Sequence, residues 1–168
     1  MDKKRIAIVS SLAVLCLSLF LPCHVLRIEA AREHQTVFVH RIRPDDTFST
    51  TYIHSVELSP VREYFRIDRY FRIVLYETHF SSCNTGLPTT LSGDEKLSID
   101  GDHLRISNME RVVSGLDLWV NEQYDNRLQL GEGTTLNLPS LAGDTLLRVT
   151  IEQVPVFKLL YLKANGAK

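Results

Sequence analysis

Two hydrophobic patterns divide this chain. From Ile6 to Leu21 the apolar residues form a nearly continuous run, which continues less cleanly through Pro22, Cys23 and His24 to Leu26. From Thr36 onward they recur at every second position, in short runs broken by Gly, Pro, Asp and Asn. That alternation belongs to antiparallel strands rather than to helices of about 3.6 residues per turn. It predicts strands over 37–42, 48–56, 61–68 and 71–80. Pro44-Asp45-Asp46 turns between the first two, and a tight loop around Leu58-Ser59-Pro60 joins the second to the third. Shorter strands over 97–99 and 103–106 flank Asp100-Gly101, a pair suited to a hairpin turn. Further strands are expected over 116–120, 127–130, 134–138 and 146–154, after which Pro155 ends the pattern and 156–162 reads as a closing strand or a helical turn. The expected fold is all-β: a single antiparallel β-sandwich or partly open barrel preceded by an N-terminal hydrophobic helix.

The leading run has the layout of an export segment, because Lys3, Lys4 and Arg5 precede it as a charged flank. Sixteen helical residues span roughly 24 Å, whereas a bilayer's hydrocarbon layer is about 30 Å thick, so the run spans comfortably only if it reaches Leu26. Residues 1–30 are accordingly read as a signal peptide or N-terminal membrane anchor, and residues 31–168 as an exported β-domain. The best cleavage position, after Ala30, has Ile28 where a small residue is wanted. Pro22 before Cys23 argues against lipidation at that cysteine. The basic cluster at the N-terminus, against the mixed-sign segment Arg27, Glu29, Arg32 and Glu33, places the N-terminus inside and the domain outside.

Composition adds exclusions. The 168 residues suffice for one domain and its leader, and a formal net charge of -1 gives no electrostatic footprint for nucleic acid. With Cys16 and Cys23 in or beside the apolar run, Cys83 is alone in the exported part, which excludes an intradomain disulfide.

Candidate chemistry concentrates in the three-stranded meander that strands 48–56, 61–68 and 71–80 are expected to make. If 57–60 form the turn, Val56 lies opposite Val61, His54 opposite Glu63 and Tyr52 opposite Phe65. By parity along the next strand, Glu77 and His79 share the face of Glu63. His54, Glu63, Glu77 and His79 are thus expected to converge, as a buried polar network, a site for a polar ligand, or a set of metal ligands. Gly131-Glu132-Gly133 reads as a hairpin turn, since no Lys or Ser/Thr follows at phosphate-binding spacing. The chain has no His-Glu-x-x-His, Cys-x-x-Cys or Gly-x-Ser-x-Gly. No nucleophile or oxyanion donor can be placed beside His54 and Glu63, so a non-enzymatic protein without a cofactor is expected.

The residues Tyr52-Ile53-His54-Ser55-Val56-Glu57, Pro60-Val61, Glu63-Tyr64-Phe65, Glu77-Thr78 and Gly86-Leu87-Pro88 resemble the bacterial family catalogued as domain of unknown function 1850. His54, Glu57, Glu63 and Glu77 match its pattern, and the loop Ser81-Ser82-Cys83-Asn84-Thr85 departs from it. The resemblance implies a small exported or membrane-anchored protein on the periplasmic side of the cytoplasmic membrane, encoded beside tripartite ATP-independent periplasmic (TRAP) transporters of the TAXI subtype. It thereby implies an accessory role with those transporter subunits as partners. The alternative is a small-ligand or metal-binding module with His54, Glu57, Glu63 and Glu77 as its binding residues.

Overall fold

The computed structural model describes residues 3–56, 58–81, 91–100 and 103–167. Helix α1 (Lys3–Ser18) precedes strands β1 (Pro22–Ala30), β2 (Gln35–Arg41), β3 (Thr47–Ile53), β4 (Pro60–Ile67) and β5 (Ile73–Phe80). Strands β6 (Lys96–Asp100), β7 (His103–Ser107), β8 (Arg111–Val113) and β9 (Leu116–Val120) follow, then a 3-10 turn at Glu122–Tyr124. The chain ends through β10 (Arg127–Leu130), β11 (Thr135–Asn137), the short helix α2 (Leu138–Ala142), β12 (Thr145–Pro155) and helix α3 (Val156–Ala164).

The strands make two antiparallel sheets. The smaller has the order β2-β1-β12-β9; the larger runs β11-β10-β3-β4-β5-β7-β6, with β8 also paired to β5. Both are open, so no closed barrel forms among the described residues. One hydrophobic cluster joins them: Leu26, Ile28, Phe38, Leu147 and Val149 from the smaller sheet meet Phe48, Phe65, Ile67, Ile73 and Leu128 from the larger. The Phe48 and Phe65 rings stack at 4.8 Å across the β3–β4 pair at the centre of this core. On the other face of the smaller sheet, Cys23, Val25, Val39 and Val154 bury Leu159 of α3.

Helix α1 is shorter than the apolar run suggested, and its 16 residues include Lys3, Lys4, Arg5 and several serines. Three successive tight-turn bonds close α1, from Leu19, Phe20 and Leu21 N–H to the carbonyls of Cys16, Leu17 and Ser18. Pro22, with no N–H to donate, then turns the chain into β1. Among the described residues no helix is long and apolar enough to cross a membrane. Residues 22–30, expected to lie in the leader, instead form a strand nine residues long, paired throughout with β12 and over 25–30 with β2, where the register shifts between Ile28 and Glu29. Its even-numbered residues Leu26, Ile28 and Ala30 face the main core, and its odd-numbered Cys23 and Val25 face α3. A strand covered on both faces reads as an unbroken apolar run, which is why it merged with the helix before it in the sequence.

The β3–β4 hairpin and the β4–β5 pair decide where the expected site residues go. In the hairpin, Thr50 lies opposite Glu63, Tyr52 opposite Val61 and Ile53 opposite Pro60, four positions away from the expected pairing. The turn is longer than a tight loop at 57–60. His54 N–H donates to the Ser59 carbonyl at 2.9 Å, the Leu58 N–H donates to the His54 carbonyl at 2.8 Å, and Leu58 takes a left-handed backbone (φ 52). Between β4 and β5 an irregularity at Tyr64/Phe65 shifts the register: Phe65 pairs with Leu75 but Tyr64 pairs with Glu77. A bulge of this kind reverses which residues share a face on its far side.

Candidate ligand cavity

The reversal separates the expected cluster. Below the bulge Phe65 and Ile67 face inward with Leu75 and Ile73; above it Val61 and Glu63 face inward with Phe80 and Thr78. Glu77 and His79 fall opposite Tyr64 and Arg62 and lie on the outer face. The convergence of His54, Glu63, Glu77 and His79 expected from strict alternation is therefore not formed. Among the described residues no group of three or more His, Cys, Asp or Glu side chains is placed to hold a metal ion. Glu57 lies outside the described residues, as do Cys83, Gly86-Leu87-Pro88 and the glycine of the Asp100-Gly101 turn.

The outer pair is saturated locally. Glu77 Oε1 lies 2.7 Å from His79 Nε2, and Arg105 Nη2 donates to Glu77 Oε2 at 2.5 Å. Burial acts to raise the Glu77 carboxyl, but the Arg105 and His79 hydrogen bonds and charges outweigh it and hold the group below the ordinary glutamate value. The Tyr64 ring tilts against His79 at 5.0 Å, and the Arg62 guanidinium lies 6.0 Å from the Tyr64 ring. This face is a solvated ladder of paired charges.

Glu63 has the opposite surroundings. It stands on the inner face in a row with Thr50 and Thr78, both almost fully buried. Thr78 Oγ1 donates to the Met109 sulfur at 3.7 Å, leaving Glu63 one long hydrogen bond among the described residues, from Thr50 Oγ1 at 3.4 Å. Burial pushes the Glu63 carboxyl above the ordinary glutamate value, and the Thr50 bond offsets only part of that. The neighbouring Tyr52 phenol is pushed up to about 12, by its own burial and then by the Glu63 carboxylate, so it remains a donor at neutral pH.

Glu63, Tyr52 and His54 line one cavity of about 530 Å³, within the size range of small-molecule sites. The hairpin supplies one wall. The opposite wall is β9, the edge strand of the smaller sheet, with Gly115 before it and Tyr124 and Asn126 after it. Asn126 fixes the end of β9 by accepting from Asn121 N–H at 3.0 Å and donating to the Trp119 carbonyl at 3.5 Å. Gly115 is required by proximity: a Cβ there would stand 2.9 Å from the Val149 carbonyl oxygen. His54, though not opposite Glu63, thus shares its cavity, with its Nδ1 3.4 Å from the Val56 N–H. Sequence reasoning missed Thr50 and the β9 wall. Parity along β3 would have put Thr50 on the inner face, whereas nothing in 115–126 advertises a cavity. Among the described residues the lining includes Glu63 and Asp117 and no lysine or arginine, but the Asp117 carboxylate is already paired, accepting from the Arg148 fork at 2.7 and 2.9 Å.

Neither a curated protein nor a solved structure matches the chain. A family model described as domain of unknown function DUF1850 matches residues 48–138, from β3 to the start of α2. The match takes in every residue of the cavity lining and all strands of the larger sheet, and leaves β1, β2 and β12 outside. Extending over more than half of the 168 residues, it shows that the chain belongs to the DUF1850 family.

Proposed function

We propose that this chain is a non-enzymatic binding domain, held at the periplasmic face of the bacterial cytoplasmic membrane by its N-terminal segment, which takes a small polar molecule between the β3–β4 hairpin and β9. The observation that carries this reading is Glu63: a desolvated carboxyl group with one long hydrogen bond among the described residues, opening into a cavity that also presents Tyr52 and His54. A buried polar group without adequate partners is costly, and a ligand that supplies them recovers that cost on binding. The Arg148 fork neutralises Asp117, donating to its two oxygens at 2.7 and 2.9 Å, so Glu63 is the acidic group that meets a ligand; with no lysine or arginine among the described lining residues, it favours a neutral or amine-bearing ligand over an organic anion. Calorimetric titration of the whole chain in detergent with small organic amines, polyols and dicarboxylates tests it. Binding of an amine or polyol that Glu63→Gln weakens at least tenfold supports the proposal. If nothing binds, or if Glu63→Gln binds as the wild type does, the cavity is no ligand site.

A second reading is an accessory role beside a TAXI-type TRAP transporter. It is supported by the residues at 52–56, 60–65 and 77–78 that resemble the family, whose members are encoded next to such transporters. Under this reading the transported anion is held by the transporter's own subunits and not by the cavity at Glu63. Co-purification of the transporter with the chain would support the role, and undiminished solute uptake in a clean deletion strain would refute it.

A further inference from the structure

Helix α3 buries one face and leaves another apolar face open. Val156, Leu159 and Leu162 pack on the smaller sheet, whereas Phe157, Leu160 and Tyr161 are exposed, the last at 64%. At about 100° per residue, positions 157, 160, 161 and 164 fall within an arc of roughly 100°, a second apolar stripe turned away from the domain, with Lys158 and Lys163 on its two sides. Lysines so placed can lay their methylenes along an apolar surface and keep their ammonium groups in a polar headgroup layer.

The position of α3 relative to α1 points to what covers this stripe. The exposed apolar side chains Leu12, Val14, Leu17, Phe20 and Leu21 run along α1 and its exit, and the Phe20 ring meets the Phe157 ring at 5.4 Å. Two backbone bonds fasten the junction, from Val156 N–H to the Leu21 carbonyl at 3.1 Å and from Phe157 N–H to the Leu19 carbonyl at 2.9 Å. No linker separates the helix from the domain. The 16 residues of α1 reach roughly 24 Å, less than the hydrocarbon thickness of about 30 Å, so a bilayer that buries α1 draws the junction into its interface.

We infer that α3 is an interfacial helix, which lays Phe157, Leu160 and Tyr161 into the lipid surface beside α1 and fixes the domain's orientation on the membrane. The inference rests on the reading of α1 as a membrane anchor and adds a second contact to it. Its occupant is a phospholipid surface, because the stripe continues the apolar surface of α1 and is bordered by cations.

The chain's single tryptophan provides an internal control. Trp119 pairs with Leu146 at the start of β12, whereas α3 begins at the other end of that strand, roughly 30 Å away at about 3.4 Å per residue. The full chain is reconstituted in vesicles of phosphatidylethanolamine, phosphatidylglycerol and phosphatidylcholine brominated high on its acyl chains. Trp119 is expected to stay unquenched. In a Trp119→Phe, Tyr161→Trp variant the emission is expected to shift to the blue and to be quenched by the bromines. Adding Leu160→Asp should reverse both changes while the chain still floats with the vesicles. A chain that does not float overturns the anchor reading and this inference with it. A chain that floats with a water-like, unquenched indole at 161 overturns the inference alone, as does a blue-shifted indole without quenching, which would mean that a second copy or another protein covers the stripe. Quenching that survives Leu160→Asp also overturns it.

Discussion

Removal of everything up to Ala30, as cleavage at the best small-residue position would do, should abolish the folded domain. The strand lost is the second of four in the smaller sheet, paired along its length with β12 and over six positions with β2. Val25, Leu26 and Ile28 are fully buried. At about 1.5–3 kcal/mol for each side chain of this size, their removal forfeits roughly 5–9 kcal/mol, against a total stability for such domains of about 5–15 kcal/mol. It also leaves the edges of β2 and β12 without partners. Two shortened forms, one beginning at Leu19 and one at Ala31, can be compared by urea titration followed by near- and far-ultraviolet circular dichroism. The form from Leu19 keeps β1 and the backbone bonds to α3 and should unfold in one cooperative transition. The form from Ala31 should show no near-ultraviolet signal. If it unfolds cooperatively at the same urea midpoint, β1 is not integral and the argument is wrong.

Other predictions follow from individual contacts. The raised Glu63 carboxyl means that the folded state keeps its proton at pH values where the unfolded chain has released it, so this group lowers stability as pH rises from the ordinary glutamate value to the folded one. Glu63→Gln should therefore be more stable than the wild type at neutral pH, with the difference closing in acid; denaturant midpoints at a series of pH values check this, and parallel profiles would refute it. Arg111→Met should cost roughly 1.5–3 kcal/mol in the same assay, because the Arg111 fork donates to both Glu95 oxygens at 2.7 Å and that carboxylate is nearly buried. Gly115→Ala should destabilise by about 1–3 kcal/mol, since its Cβ would press on the Val149 carbonyl and force β9 away from β12. An unchanged melting temperature would show that the strand yields freely.

The strand content was legible because alternation is a local property. Phe48, Thr50 and Tyr52, or Val61, Glu63 and Phe65, announce a strand whatever they pair with. Pairing was less legible. The hairpin register depends on a six-residue turn closed by His54 and Leu58 backbone bonds rather than on the residues of either strand. The bulge at Tyr64/Phe65 has no signature of its own, yet it sends Glu77 and His79 to the surface and keeps Glu63 inside. Strand β1 was hidden because burial on both faces erased its alternation. The cavity was legible by half: its hairpin wall carries the His and Glu that drew notice, whereas its other wall is recruited from a strand more than fifty residues later, by packing alone.

The pairing of β1 with β12 has a consequence for biogenesis. Ribosomes make the chain from its N-terminus, so Leu26 and Ile28 emerge early, and their neighbours on β12, Ile151 and Val149, are among the last residues of the sheet to appear. The smaller sheet closes only once β12, more than a hundred residues after β1, has been made. Until then this apolar segment is without its final neighbour and vulnerable to aggregation, a hazard that retention near a lipid surface or a holding chaperone would relieve.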